Sequence, residues 1–573
     1  MKRRYLFIAL ALIMMLTACS KEPEGNEYVE MDKSNLSVAP KEGGEIIVPI
    51  KNIETMNPLH TSNNYYYNFS KLIFDELFQY DDEGKVTPNL VEYYNLSPDG
   101  LILSVTLKED VKWHDGAELT TEDVKMSFDA LKYLEPSNPN YKYLESCVGN
   151  GFEFDINEFA KAKIFDKRNI DFIFDKPYVN HLEMLVFPVF PSHLYSAAAL
   201  PTDDKFLPIG TGPYKFEEKE ANQFIKLVKN PEYHSKQPFV ETIIGKFIDD
   251  SEQAIISFET GQLNVTKDNG SFGWSKFESN TRIKFEEFNT TELEIVALNT
   301  SKSKFQGEVG RAVRKAITEG INKPRILNRV YLDKGVETSF LIKPNPRPQS
   351  DSQKTETYGE RLYYSDERAK ETLTDVGFID INNDGLLEDE LGNTIDIGVK
   401  TNSLNKNRLL TAEFIVEDLR AIGINAYLDF EILNVAKITK TEEENEFISF
   451  KNQIQSGDYD LAIYGINVSE VVDLTSMLHS NSIGNGMNIA RYSDPEMDLL
   501  LEKTKVRSDD EKTLQELYEE VGALFYRDLP YIPLLFKMDA ILIDTKIQND
   551  INPINSNWYR GFRNVFILKH EQK

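Results

Sequence analysis

The spacing of apolar residues changes twice between residues 86 and 131. Leu101, Leu103, Val105 and Leu107 alternate with Ile102, Ser104 and Thr106. That period of two is the signature of a half-buried strand. Pro98-Asp99-Gly100 precedes it as a turn, since proline presets φ and glycine accepts positive φ. Val111-Lys112-Trp113 reads as a second short strand, ended by His114-Asp115-Gly116. Thr120 then takes the form of a helix N-cap, with Asp123 three residues on as an acidic variant of the capping box. Val124, Phe128 and Leu131 follow at helical spacing. Elsewhere the pattern predicts strands over 44–50, 224–228 and 294–299. It also predicts a helix over 68–77 and an amphipathic helix over 309–317 that turns Val313, Ala316 and Ile317 to a core.

At 573 residues the chain is expected to form two or three compact units, and its 41% hydrophobic content supplies real cores. Its 27 tyrosines and 34 phenylalanines exceed what packing requires, and aromatics often line concave sites. The 64 basic and 93 acidic residues give a net charge of −29. Such a surface excludes nucleic acid, whose binding is built on basic patches, and excludes electrostatic adsorption to an anionic membrane. Two cysteines, Cys19 and Cys147, allow neither a disulfide framework nor a cysteine metal site.

Lys2, Arg3 and Arg4 precede an apolar run over 6–16, too short to span a bilayer, so residues 1–18 read as a signal peptide. Leu16-Thr17-Ala18-Cys19 matches a lipobox, which implies cleavage before Cys19 and lipid attachment to its thiol. Two acyl chains on Cys19 give stable anchoring. Residues 19–43 are polar and aperiodic, a flexible tether.

The block from Val111 to Val124 carries a resemblance. Val111-Lys112-Trp113-His114-Asp115-Gly116, then Leu119-Thr120-Thr121-Glu122-Asp123-Val124, resembles the signature of the family 5 extracytoplasmic solute-binding proteins, the peptide- and nickel-binding receptors of ABC importers. Pro208-Ile209-Gly210-Thr211-Gly212-Pro213-Tyr214 and Asn230-Pro231-Glu232-Tyr233 are similar to two further family motifs. Leu529-Pro530-Tyr531-Ile532-Pro533-Leu534 resembles the family's second interlobe crossover, as 294–299 resembles its first. The resemblance implies an α/β, two-lobed binding-protein fold, type II-like, with an extra subdomain in the first lobe and a two-crossover hinge. The boundaries it implies are 44–293 for the first lobe, with a satellite at about 60–185. The second lobe is 294–524, and 525–573 returns to the first. It further implies a monomer that captures a small solute, an oligopeptide above all, and delivers it to ABC permease subunits and their ATPases.

Candidate ligand contacts follow from the same resemblance. Tyr65, Tyr66 and Tyr67 lie where the family's first loop faces the cleft, with Tyr65 and Tyr66 the candidate contacts; packing on the adjoining helix is the other reading. The stretch Tyr464-Gly465-Ile466-Asn467-Val468-Ser469-Glu470, with Asp473 beyond it, resembles the family's ligand-anchoring run. There an aspartate after a tryptophan pairs with a peptide's α-amino group, because an unpaired ammonium in a closed cleft is very costly. Here Ile466 replaces the tryptophan and Ser469 the aspartate. Glu470 fills the role if the frame shifts by one residue; a solvated loop acid is its alternative. The departure keeps a nickel chelate, an oligosaccharide or a signalling peptide open as the ligand.

Asp380, Asn382 and Asp384, with Gly385 at the sixth place, form the first half of a calcium loop, but Leu391 stands where a bidentate glutamate belongs. An Asx-rich hairpin turn is the favoured reading, with calcium the alternative and no other cofactor expected. The seven histidines include no H-E-x-x-H, and G-x-S-x-G is absent, so no enzyme is expected. A surface hydrolase or a scaffold is the more distant rival. His114, inside the signature turn, reads as structural.

Overall fold

The computed structural model describes residues 40–270, 274–345, 362–433, 439–484, 486–507 and 513–568. The expected signal peptide, Cys19 and nearly all of the expected tether lie outside the described residues. Residues 41–573 form one body, and Gly43 already donates to the Phe239 carbonyl at 2.8 Å. No helix among the described residues is long and apolar enough to cross a membrane.

The alternating apolar segments become three main sheets. Glu45–Ile50 opens a four-stranded sheet, pairing in parallel with Thr242–Phe247, which continues antiparallel through Phe224–Lys229 to Tyr214–Glu220. Val91–Leu96, Ile102–Leu107, Asn169–Phe174 and Ala160–Ile164 form a second, wholly antiparallel sheet. Helix Thr121–Leu131 belongs with it, and the Asp123 carboxylate accepts the Thr120 N–H at 2.7 Å, the expected cap. The sheet placed by sequence in a satellite shares one continuous apolar core with the first: Val48, Phe69, Trp113, Phe128 and Phe172 all belong to it.

The third sheet has seven strands and is built on two unusually long ones, Ile283–Leu298 and Tyr531–Asp544. They pair antiparallel from Ile283 opposite Asp544 to Ala297 opposite Tyr531. At one end they meet Val265–Asp268, and at the other Leu461–Asn467, Asp396–Lys400 and Asn425–Leu428. Their period of two divides two cores. Val296, Leu298, Leu461, Ile463, Ile532 and Leu534 face one; Ile295, Ala297, Ala462, Ile466, Tyr531 and Phe536 face the other. The pairing breaks at a bulge between Asn289 and Leu293. A bulge re-aims side chains and bends its strand.

Two sequence expectations shift. The helix predicted over 68–77 is Asn64–Ser70. Asn63 caps it, its side-chain oxygen accepting the N–H groups of Tyr65 and Tyr66 at 3.0 and 3.2 Å. It does not run on to 77, because the carbonyls just past its end are taken by the glycine motif: Gly212 N–H donates to Ile73 at 2.9 Å and Tyr214 N–H to Leu72 at 3.0 Å. Gly210 and Gly212 are obligatory there, since an added Cβ would lie 1.9 and 2.6 Å from the Ile73 oxygen. The strand expected at 111–113 reduces to a single bridge between Lys112 and Glu118. Trp113 N–H bonds the Ala117 carbonyl and His114 N–H the Gly210 carbonyl, so the segment turns instead of extending.

Candidate functional site

A cavity of about 720 Å³ opens where the long strands break register. That volume is within the range of about 300–1,000 Å³ typical of ligand pockets. The bulge residues Thr291 and Glu292 form part of its wall. Strand Leu461–Asn467 ends at it, so Asn467 and the loop carrying Ser469, Glu470 and Asp473 line it. Asn555 and Ser556 come from the C-terminal segment.

Two helices supply the opposite wall. On Asn64–Ser70 and the turn after it, Asn64, Tyr67, Asn68 and Lys71 face the cavity, one stripe at helical spacing. On Pro139–Val148, with proline in its first turn behind the Asn138 cap, Pro139, Tyr143 and Ser146 form a second stripe. Tyr143 and Tyr80 share a hydroxyl–hydroxyl hydrogen bond at 2.7 Å, and Tyr143 donates on to the Glu183 carbonyl.

Of the residues put forward from sequence, Asn467, Ser469, Glu470 and Asp473 meet at this cavity, and Tyr65, Tyr66 and Tyr464 do not. The 3.6-residue helical repeat decides the tyrosine triplet. It turns Tyr67 to the cavity and Tyr66 into the core, where Tyr66 is fully buried and its hydroxyl donates to the Met56 carbonyl at 2.7 Å. Tyr65 sits edge-on to Trp558, ring centres 5.0 Å apart. Tyr464 stacks on Phe450 at 5.8 Å, on the far side of its strand.

The acids at the cavity are engaged. Glu470 is ion-paired with Lys343 and accepts from the Asn555 amide at 2.8 Å. Burial pushes its carboxyl up, but the Lys343 ammonium and the Asn555 amide outweigh burial and hold it below the usual carboxylate range. Asp473 pairs with Lys505 at 3.0 Å, both side chains almost wholly buried. It also accepts from the Asn150 amide at 2.7 Å. Ser469 Oγ accepts the Val471 N–H at 3.2 Å. Sequence reasoning missed Tyr67, Lys71, Tyr143 and the bulge pair Thr291 and Glu292. The Asn63 cap was the signal that would have phased the first helix correctly.

The signature motifs lie elsewhere, at one buried junction. His114 Nδ1 accepts the Gly210 N–H at 3.2 Å while its Nε2 faces the Gly212 carbonyl at 3.0 Å. Asp75 accepts from Thr211 at 3.0 Å and is 3.0 Å from His234 Nε2. The Asn230 amide donates to Gly212 at 3.0 Å. The Asp380 loop is a turn whose acids hold main chain: Asp380 accepts from the N–H groups of Asp384 and Gly385 at 3.2 and 3.0 Å, and Asn382 from Asp384 at 2.8 Å. Carboxylate oxygens of Asp380, Asp384 and Glu388 lie within 4.8 Å of one another. Glu388 accepts from Ile381 N–H and the Asn382 amide at 2.8 and 2.9 Å.

Sheets and helices tied together by a pair of long strands, with a polar cavity beside their register break, make a mixed α/β fold of the two-lobed solute-binding kind. Solved structures share it. The oligopeptide-binding protein AppA of Bacillus subtilis, in complex with a nonapeptide, matches with TM-score 0.60 and 22% identity over 92% of this chain and 100% of its own. NikZ of Campylobacter jejuni, in complex with Ni(L-His), matches with TM-score 0.62 and 20% identity over 90% of this chain and 97% of its own. Residues 85–488 match the bacterial extracellular solute-binding proteins, family 5 Middle, and the chain belongs to that family. In sequence it is 26% identical to AppA of Bacillus subtilis over 555 residues, 94% of either chain. It is 25% identical to the dipeptide-binding protein of Escherichia coli over 394 residues, 65% of this chain and 69% of that one.

Proposed function

We propose that this family 5 solute-binding protein is an oligopeptide receptor, held by lipid on Cys19 at the outer face of the cell membrane, that passes its ligand to an ABC permease. The observation that carries the reading is the chemistry of the cavity wall. Asparagines, serines and threonines make up nearly half of the lining residues. Neutral amides and hydroxyls both donate and accept, so they match the alternating N–H and C=O groups of an extended peptide. The likeness to AppA over almost the whole of both chains supports the same reading. The receptor works by closure without chemistry: a ligand that contacts both lobes favours the closed state by its differential affinity for it.

The deciding experiment is native mass spectrometry of protein purified with its ligand, followed by release and sequencing of that ligand. A heterogeneous set of peptides is expected. A single nickel chelate or an oligosaccharide overturns the peptide assignment. Labelling with radioactive palmitate, lost in a Cys19→Ala variant, tests the anchor.

A further inference from the structure

The cavity wall carries many charges, and each acid on it is met by a lysine. Glu76 pairs with Lys71, Glu145 with Lys142 at 2.8 Å, Glu292 with Lys537 at 3.1 Å, Glu470 with Lys343 and Asp473 with Lys505 at 3.0 Å. Those five acids are all the carboxylates in the lining. The wall is therefore electrically balanced before any ligand enters. Three of the pairs are screened from water. Lys71 and Glu76 are 10% and 9% exposed, Lys343 and Glu470 14% and 16%, Lys505 and Asp473 1% and 2%.

A ligand ammonium that sought Glu470 or Asp473 would have to displace Lys343 or Lys505. A ligand carboxylate would have to displace the acid. Either leaves a protein charge uncompensated in a low-dielectric wall, the most costly way to disturb a buried pair. Between the pairs stand six asparagines and seven serines and threonines. They reward neutral amides at no such cost.

We infer that the cavity selects an uncharged peptide stretch, so that neither a free α-ammonium nor a free α-carboxylate is accommodated inside it. The ligands are peptides with blocked termini, or peptides long enough to carry both ends out of the cavity. This rests on the peptide reading above and deepens it. Glu470 is then a specificity residue that keeps Lys343 neutralised, in place of an amine anchor.

The test uses ligand-stripped protein and two matched random libraries of peptides from three to about fifteen residues, long enough to pass both ends out of the cavity, one with free termini and one N-acetylated and C-amidated, competed in native mass spectrometry. Among the tripeptides, the blocked form is expected to be retained at least about tenfold more tightly, because a free terminus must disturb a buried pair. Equal or tighter retention of the free tripeptides overturns the inference and leaves the peptide reading standing. Retention of neither library overturns both. A second arm uses Glu470→Gln, which keeps the side-chain shape and leaves Lys343 without its acid. It is expected to raise the affinity for N-acetylated tripeptides with a free carboxylate about tenfold. No change in that affinity overturns the role given to the pair.

Discussion

His114 offers a prediction whose size follows from its geometry. Its Nδ1 accepts the Gly210 N–H, so that nitrogen carries no proton, and Nε2 is left to donate to the Gly212 carbonyl. Only the neutral ring satisfies both contacts. Burial pushes the imidazole down to about 4, with the Gly212 carbonyl pulling the other way and the Lys215 ammonium adding to the fall. An unfolded histidine titrates near 6.5. Between these values the open state binds a proton that the closed state refuses. The stabilisation is therefore complete above about pH 6.5 and is lost as pH falls toward 4. From pH 7 to pH 5 the loss is about 2 kcal/mol, or roughly 20-fold in the opening equilibrium. Hydrogen–deuterium exchange of the peptide spanning 208–214 reads it, after correction for intrinsic exchange. The wild-type chain is expected to lose about 20-fold in protection over that interval, and His114→Asn to lose little. Asparagine keeps a local acceptor and donor without titrating. Equal pH dependence in the two proteins would refute the argument.

Other substitutions separate architecture from binding. Lys505→Ala strands the buried Asp473 carboxylate and should lower the unfolding free energy by about 3–5 kcal/mol; a Lys505→Met, Asp473→Leu double variant should recover most of it in urea titrations. Gly212→Ala places a Cβ 2.6 Å from the Ile73 oxygen and should cost at least about 3 kcal/mol, seen as a lower Tm or as insoluble protein. Tyr66→Phe removes one buried hydrogen bond to Met56 and should cost about 1 kcal/mol while leaving peptide affinity unchanged in calorimetry. Glu294→Gln weakens a carboxylate bonded by Arg408 at 2.8 and 2.9 Å; a loss of about 2 kcal/mol or more in urea unfolding is expected, and none would show that the Arg408 site solvates itself.

Much of the scaffold was legible because it is written in short-range pattern. Period-two runs at 44–50, 101–107 and 224–228 became strands, and the Thr120–Asp123 cap fell where the sequence put it. The errors came where tertiary partners outbid local signals. The helix that carries the tyrosine triplet goes no further than Ser70 because two residues far along the chain, Tyr214 and Gly212, take the carbonyls of Leu72 and Ile73 that a longer helix would have used. The length of Ile283–Leu298 was missed because its first half carries Lys284, Glu286 and Glu287, polar residues that read as loop but pair in register with Tyr531–Asp544.

The cavity was harder to read than the fold for a different reason. The motifs around His114, Gly210–Gly212 and Asn230 serve one junction beside Ile73, where backbone approaches too closely for any side chain. That is why the motifs are specific: a glycine with no room for a Cβ and a histidine fixed as one neutral tautomer leave few substitutes. The cavity wall has no such constraint. Its residues come from two helices, a bulge, a strand end and the C-terminal segment, and each contributes a polar side chain with space in front of it. The four residues put forward from sequence that line the cavity, Asn467, Ser469, Glu470 and Asp473, lie close enough along the chain to be carried by one local stretch. The remainder depend on helical phase and on a register break, which only the assembled molecule sets. Selectivity can therefore be altered at the wall by single substitutions, such as the exchange that leaves Ser469 beside Glu470, without touching the junction that holds the fold.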